Sequence, residues 1–363
     1  MGGATLSFLN LIKGVKNAGV TPVIVCPSGI DDNFILEIKK ENYEYYSVDL
    51  VPFMENTPVN RLRFYRFQRK WLIRSMKELL RIVWKVKPDI IHTNTGVEHE
   101  GFWCSKLLGI PHVWHLREYQ DKDFNIAIMP SKKIFCKMLK HSWSISITHD
   151  IQNHFGLATY KRACTIYNGI LREDQITYNS YKEKFFISAC RISREKGIDE
   201  TIKAFAEFSK TITEYRLLIF GFGDSNYINE LKSLCKELCC EDIVFFEGYK
   251  PLYEVAQFMS RAKALIVSSK FEGFGRMTAE AILSGCVVIG RNTGGTKEII
   301  SQTGGYMFSN HKELVQSMID VANLNSQEYN VSISQAQNIA RNLFTCEQNI
   351  KNTLALYNKI VSS

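Results

Sequence analysis

The sequence predicts an α/β protein: two doubly wound βα domains in tandem, followed by a helical tail. Three observations carry this. Its 363 residues exceed one ordinary core and suit two domains of roughly 150–200 residues each. Short β-branched or aromatic runs alternate with amphipathic segments almost throughout, the pattern of a parallel sheet covered on both faces. The alternation pauses once, in the polar stretch 171–184, which reads as a linker.

In the first half, strands are predicted at 21–26, 43–48, 89–92, 112–115, 143–147 and 165–167. Helical spacing of apolar residues falls between them at 6–16, 33–40, 61–86 and 132–139. After the pause, strands are predicted at 185–190, 216–220, 243–246, 264–267 and 287–289, with helices at 198–208 and 228–238. The tail is helical from about 327 onward. The expected organisation is a domain at 1–170, a linker at 171–184, a domain at 185–340 and a last helix at 341–363.

Composition narrows the class. An apolar share of 45% with 23% charged residues excludes a disordered or collagen-like chain. No apolar run approaches the roughly 18 residues of a membrane span. The apolar run near Met1 lacks a basic flank and stops at Lys13, so it does not read as a signal peptide. Ten cysteines are scattered without a Cys-x-x-Cys pair, as expected of reduced, mostly buried thiols rather than disulfides or metal ligands.

The formal charge of +8 is concentrated. Residues 1–170 hold 23 basic and 15 acidic side chains, and the remainder is balanced. Residues 61–87 alone carry ten cations and one acid, Glu78, interleaved with aromatic and aliphatic residues at helical spacing. One reading is an ordinary domain helix with a solvated outer face. The other is a basic amphipathic helix docking on an anionic membrane through Arg66, Lys70, Trp71, Arg74 and Lys77. No nucleic-acid-binding motif accompanies the patch, so nucleic acid is not expected as a partner.

In parallel α/β sheets, ligands bind at the carboxyl ends of strands, where loops and helix N-termini converge. Three constellations fall there. Gly221-Phe222-Gly223 follows an apolar strand and precedes a helix; its glycines suit either close approach to a ligand or a tight turn. Arg191 and Lys196, with Gly197, close the strand that opens the second domain, and two cations at such a position suit a diphosphate. Glu272-Gly273-Phe274-Gly275-Arg276 leads into a helix whose free N–H groups favour phosphate. Glu280 lies inside that helix, where it can pair with Arg276 at i, i+4 or accept hydrogen bonds from sugar hydroxyls.

Arg191 with Lys196-Gly197, Gly221-Phe222-Gly223, the acids Glu272 and Glu280, and Gly294-Gly295-Thr296 stand in an order that resembles the retaining glycosyltransferases of family 4. The first half resembles that family more loosely, through Gly2-Gly3-Ala4, Pro88-Asp89-Ile90-Ile91-His92, His115 and Tyr167-Asn168-Gly169. The resemblance implies the GT-B fold: two Rossmann-like domains facing across a cleft, with the last helix crossing back to the first. It also implies roles. Arg191 and Lys196 would hold the donor diphosphate, Glu272 the donor sugar and Glu280 the ribose. Gly221, Gly223, Gly273, Phe274, Gly275 and Arg276 would lie along the donor, with Gly248 and Tyr249 beside the base. Gly2 and Gly3 would face phosphates and acceptor, and His115 the sugar. No metal or cofactor is implied, because cations and a helix N-terminus take the part of a bound metal. No carboxylate nucleophile is assigned.

In that family an apolar strand precedes the glycine loop, whereas here Met1 abuts Gly2-Gly3, so an inner strand of the first sheet is expected to be missing. The function expected is retaining transfer of a sugar from a nucleotide-diphosphate sugar to a lipid-linked glycan or oligosaccharide acceptor in surface polysaccharide synthesis. Its place would be peripheral, at the cytoplasmic face of a membrane. The alternatives are a nucleotide-sugar epimerase of the same fold, or a non-catalytic nucleotide- or membrane-binding partner of another transferase.

Overall fold

A computed structural model describes the backbone of residues 3–50, 61–124 and 126–363, with side chains throughout except at 61–71. The chain divides into two compact units: Met1–Gly169 with Cys346–Ser363, and Ile170–Thr345. Both are α/β with parallel pairing only.

Unit 1 runs α1 (Gly3–Asn17), β1 (Val23–Pro27), α2 (Asp32–Lys40), β2 (Glu44–Val48), α3 (Arg61–Val86), β3 (Ile91–Thr93), α4 (Glu100–Leu108), β4 (His112–Leu116), α5 (Lys132–Lys140), β5 (Trp143–Ser146), α6 (His149–His154) and β6 (Ala163–Thr165). Local chemistry marks several ends. Asp31, Ser131 and Thr148 accept hydrogen bonds from first-turn N–H groups as N-caps, and Gly109 closes α4 in the left-handed conformation. The strands form a β1-β2 pair and a four-stranded sheet β3-β4-β5-β6. Among the described residues no ladder joins β1 to β3. Val25 and Ile91 instead meet over a shared apolar cluster of Leu79, Val83 and Cys104.

Unit 2 runs β7 (Phe185–Ala189), α7 (Ile198–Phe208), β8 (Arg216–Phe220), α8 (Ser225–Glu237), β9 (Val244–Gly248), α9 (Leu252–Arg261), β10 (Ala264–Val267), α10 (Arg276–Leu283), β11 (Val288–Arg291), α11 (Gly294–Thr303), β12 (Tyr306–Phe308), α12 (His311–Asn323) and α13 (Ser326–Phe344). Its six strands take the order β12-β11-β10-β7-β8-β9. Fully buried Phe186 of β7 packs with Phe205, Phe208 and Tyr215, a cluster in which each ring contributes about 1.5–3 kcal/mol by burial.

Three sequence expectations need correction. The stretch 171–184 is no free linker, because it is fastened along unit 2. Leu171 pairs with Thr345, Gln337 donates to Thr177 O, and Lys182 donates to the carbonyls of Ser260 and Gly285. Burial of that ammonium brings its pKa down to about 8. The strand expected at 165–167 lies two residues earlier, where Cys164 pairs with Ile145, and β12 was not expected at all. The separate last helix expected at 341–363 starts five residues later: extended Thr345 ends α13, and α14 (Cys346–Val361) belongs to unit 1. There Leu356 and Ile360 pack on Val113, Ile145 and Ile166 across β4, β5 and the end of β6.

Candidate functional site

In unit 2 the charged residues gather where β7 ends. A 3-10 turn, Arg194–Lys196, closes on Gly197 (φ +64°) before α7 begins. It turns Lys196 toward the loop that follows the neighbouring strand β10, where its ammonium donates to Glu272 Oε1 at 2.6 Å. Both side chains are about four-fifths buried, with exposures of 20% and 23%, so this pair is shielded from solvent more than a surface bridge is. Arg191, by contrast, is 62% exposed and donates to Glu195 at 2.8 Å within its own loop. The Cys190 thiol beneath feels Lys196, Glu272, Glu195 and Arg191 together, and burial pushes it up to about 12. The four charges therefore share one small region.

Glu272 sits on the loop that enters α10. Gly275 (φ +86°) caps that helix and, having no side chain, supplies no cap bond to the first-turn N–H groups, which point back along the loop. Gly294 and Gly295 underlie the same loop. Gly295 N donates to Glu272 O at 2.8 Å, and a Cβ on Gly295 would collide with the Phe274 backbone. Phe274 is buried against Phe344. Glu280 is 1% exposed, and Arg276 Nε lies 3.7 Å from its Oε2. Burial raises the Glu280 pKa, with Arg276 opposing.

The glycines of 221–223 serve the backbone. A Cβ on Gly221 or Gly223 would strike the carbonyls of Cys190 or Ile192, and Gly221 N already donates to Gly248 O. The tight-turn reading thus accounts for both. The turn also exposes Phe222, whose ring stands edge-on to exposed Tyr249, with centroids 6.0 Å apart, beside Gly248 (φ +69°). Phe222 is a site candidate that a glycine motif alone does not single out.

In unit 1, Gly3 opens α1 at the surface and Gly2 lies outside the described residues. His115 is fully buried on β4. Its Nδ1 lies 3.2 Å from His92 Nε2 and 3.5 Å from Arg117, and its Nε2 has no partner among the described residues. Arg117 is itself buried, donating to Asn94 Oδ1 at 2.8 Å and Asn168 Oδ1 at 2.7 Å. His92 Nδ1 is 2.5 Å from the Tyr357 hydroxyl on α14. The crowding of seven histidines between 92 and 154 hints at this cluster, but nothing local marks Tyr357.

The basic helix α3 forms as predicted over Arg61–Val86. The side chains of Arg66, Lys70 and Trp71 lie outside the described residues. Further along, the exposed stripe reads Ile73, Arg74, Lys77, Arg81, Trp84 and Lys85, with Trp84 75% exposed and Arg74 3.7 Å from Asp49. No helix among the described residues is long and apolar enough to cross a membrane.

Comparison with known proteins follows the same division. Residues 172–338 match the family described as "Glycosyl transferases group 1". The chain is 28% identical over 268 residues to the alpha-monoglucosyldiacylglycerol synthase of Streptococcus pneumoniae, a match covering 66% of this chain and 60% of that protein. It is 24% identical over 355 residues to the enzyme of that name from Acholeplasma laidlawii, covering 88% and 84%. Among solved structures, Anabaena HepE in complex with UDP superposes with a TM-score of 0.80 over 99% of this chain and 96% of that one, at 18% identity. The fold is therefore GT-B, with two Rossmann-like domains. The unit that sets a lysine–glutamate pair and a glycine-capped helix N-terminus at its strand ends is the one that matches this family across nearly its whole length, so residues 172–338 form a region of the glycosyl transferases group 1 type.

Proposed function

We propose that the chain transfers a sugar, with retention of anomeric configuration, from a nucleotide-diphosphate sugar to a lipid-linked or glycan acceptor at an anionic membrane surface. The observation that carries this is the Lys196–Glu272 pair on the loop that enters the glycine-capped N-terminus of α10. Lys196 and Arg191 hold the diphosphate, and Glu272 bonds hydroxyls of the donor sugar. Glu280, turned inward in α10, takes the ribose. Phe222 and Tyr249 flank the base beside Gly248, while the backbones of Gly221, Gly223, Gly273, Phe274 and Gly275, with Arg276, border the phosphates. In unit 1, His115 meets the sugar, and the roles assigned to Gly2 and Gly3 are toward the phosphates and the acceptor.

The step breaks the bond between the anomeric carbon and the diphosphate oxygen. The acceptor oxygen attacks from the same face, and its proton passes to the departing phosphate oxygen. Charge accumulates on the leaving diphosphate, which fixed cations and aligned N–H groups stabilise without reorganisation. No metal ion is needed for that. The chemistry is tested by incubating the full chain with a panel of nucleotide sugars and measuring released nucleotide, with and without EDTA. Release from at least one sugar, unchanged by EDTA, is expected; no release from any would sink the reading.

The lipid side rests on the α3 stripe and on two relatives named for making a glucosylated diacylglycerol. Each cation near an anionic surface contributes about 1 kcal/mol. Changing Arg66, Lys70, Arg74 and Lys77 to glutamine together is expected to weaken binding to phosphatidylglycerol vesicles roughly a thousandfold in a sedimentation assay. Unaltered binding would remove the membrane from the proposal.

A further inference from the structure

We infer that Tyr357 and His92 are positioning residues that, with Arg117, lock His115 in the tautomer protonated on Nε2, so that it presents a hydrogen-bond donor to the substrate. The inference rests on the reading that His115 meets the donor sugar, and adds to it how that ring is held.

The four groups lie within unit 1 in a continuous line. The Tyr357 hydroxyl is 2.5 Å from His92 Nδ1, His92 Nε2 is 3.2 Å from His115 Nδ1, and Arg117 NH2 approaches the same Nδ1 at 3.5 Å. In a neutral imidazole one nitrogen donates and the other accepts, so the choice at one ring dictates the next. Two arrangements satisfy the Tyr–His–His line alone. In the first, Tyr357 donates to His92 Nδ1, His92 Nε2–H donates to His115 Nδ1, and His115 carries its proton on Nε2. In the second, every proton runs the other way and His115 Nδ1 carries the hydrogen.

Arg117 breaks the tie. A guanidinium is always a donor, and in the second arrangement its NH2 would face the His115 N–H, donor against donor. In the first, both His92 and Arg117 donate to His115 Nδ1. Neutrality of the rings, which the argument requires, follows from their surroundings. Burial, and then Arg117, bring the His92 pKa down to about 3, and the same two causes hold His115 well below its ordinary value. Burial likewise raises the Tyr357 phenol, so it keeps its proton and can donate.

The consequence appears at the far nitrogen. His115 Nε2 is buried and has no partner among the described residues, so the line ends in an unspent N–H. Buried donors are ordinarily satisfied. This one is free to bond an acceptor oxygen of the nucleotide sugar. Tyr357 is brought to His92 by the packing of its neighbours Leu356 and Ile360 on the sheet, so the last helix sets the protonation pattern of a strand-end ring.

The test uses the full chain labelled with 15N-histidine. Long-range proton–nitrogen correlation reads each ring's tautomer, and loss of signals in His92→Gln and His115→Gln assigns the two rings. Both are expected as neutral Nε2–H at pH 7; a neutral Nδ1–H or a cationic His115 overturns the relay without recourse to any folded variant. Tyr357→Phe removes the first donor. With no donor at its Nδ1, the His92 ring can reverse, so His115 is expected to populate the Nδ1–H form in part, against the remaining opposition of Arg117, and kcat for the panel sugar that turns over is expected to fall roughly two- to threefold, with KM little changed. A tautomer that shifts while kcat holds, or a tautomer that does not shift, overturns it. A His115→Gln chain that works at the full rate defeats instead the role assigned to His115, and with it the catalytic half of the relay, even where the tautomers are as drawn.

Discussion

Alanine in place of Lys196 is expected to lower kcat/KM about a thousandfold, mostly through kcat. Two losses combine. The ammonium that meets the developing negative charge on the leaving diphosphate disappears, and preorganised donors of this kind are worth about a hundred- to a thousandfold in rate. The second loss comes from Glu272, whose Oε1 accepts from Lys196 at 2.6 Å. Stripped of that partner, the carboxylate adds its own repulsion to the incoming diphosphate. Removing both groups, as Lys196→Ala with Glu272→Gln, is therefore expected to cost less than the product of the single effects. Steady-state kinetics on the four chains, with thermal melts to show that each is folded, measures the coupling. A loss below tenfold in Lys196→Ala would mean that the diphosphate is held elsewhere.

Gly295→Ala should be nearly as damaging, for a steric reason. Gly295 lies in the first turn of α11 at an ordinary φ, so its backbone does not demand glycine. The neighbour does. An added methyl group would overlap the carbonyl oxygen, carbonyl carbon and Cα of Phe274, none of which can rotate away like a side-chain tip. Overpacking of this kind costs about 1–3 kcal/mol, and the least costly relief is to lift the 272–275 loop. That movement would break the hydrogen bond from Gly295 N to Glu272 O and draw Glu272 away from Lys196. The expected result is a melting temperature lower by several degrees and turnover reduced at least a hundredfold. Near-normal turnover would show that the loop tolerates displacement.

Much of the fold is legible in the sequence, and the reason is local. The long apolar strands announce themselves by β-branched runs, and β7 at Phe185–Ala189 is buried at every position. Lys196 and Glu272 are set by loops that follow neighbouring strands directly, so their spacing along the chain carries information about their grouping. What escaped depends on distance or brevity. Tyr306–Phe308 is three residues long, too short for alternation to register. The polar stretch 171–184 earns its contacts from Thr345, Gln337 and Ser260, far along the chain. Tyr357 stands 265 residues from His92, and no periodicity links them. The glycines at 221 and 223 were visible, but their partners, Cys190 O and Ile192 O, were not.

The discontinuity of unit 1 bears on the order in which the chain matures. Ile170–Thr345 is one uninterrupted segment, so its six-stranded sheet can close as soon as it has left the ribosome. Met1–Gly169 emerges first but must wait for Cys346–Ser363, because Leu356 and Ile360 cover Val113, Ile145 and Ile166. Until then that apolar surface is open to chaperones and to other nascent chains. The unit begun earlier is completed later, and the histidine pair receives its tyrosine only after all of Ile170–Thr345 has been made.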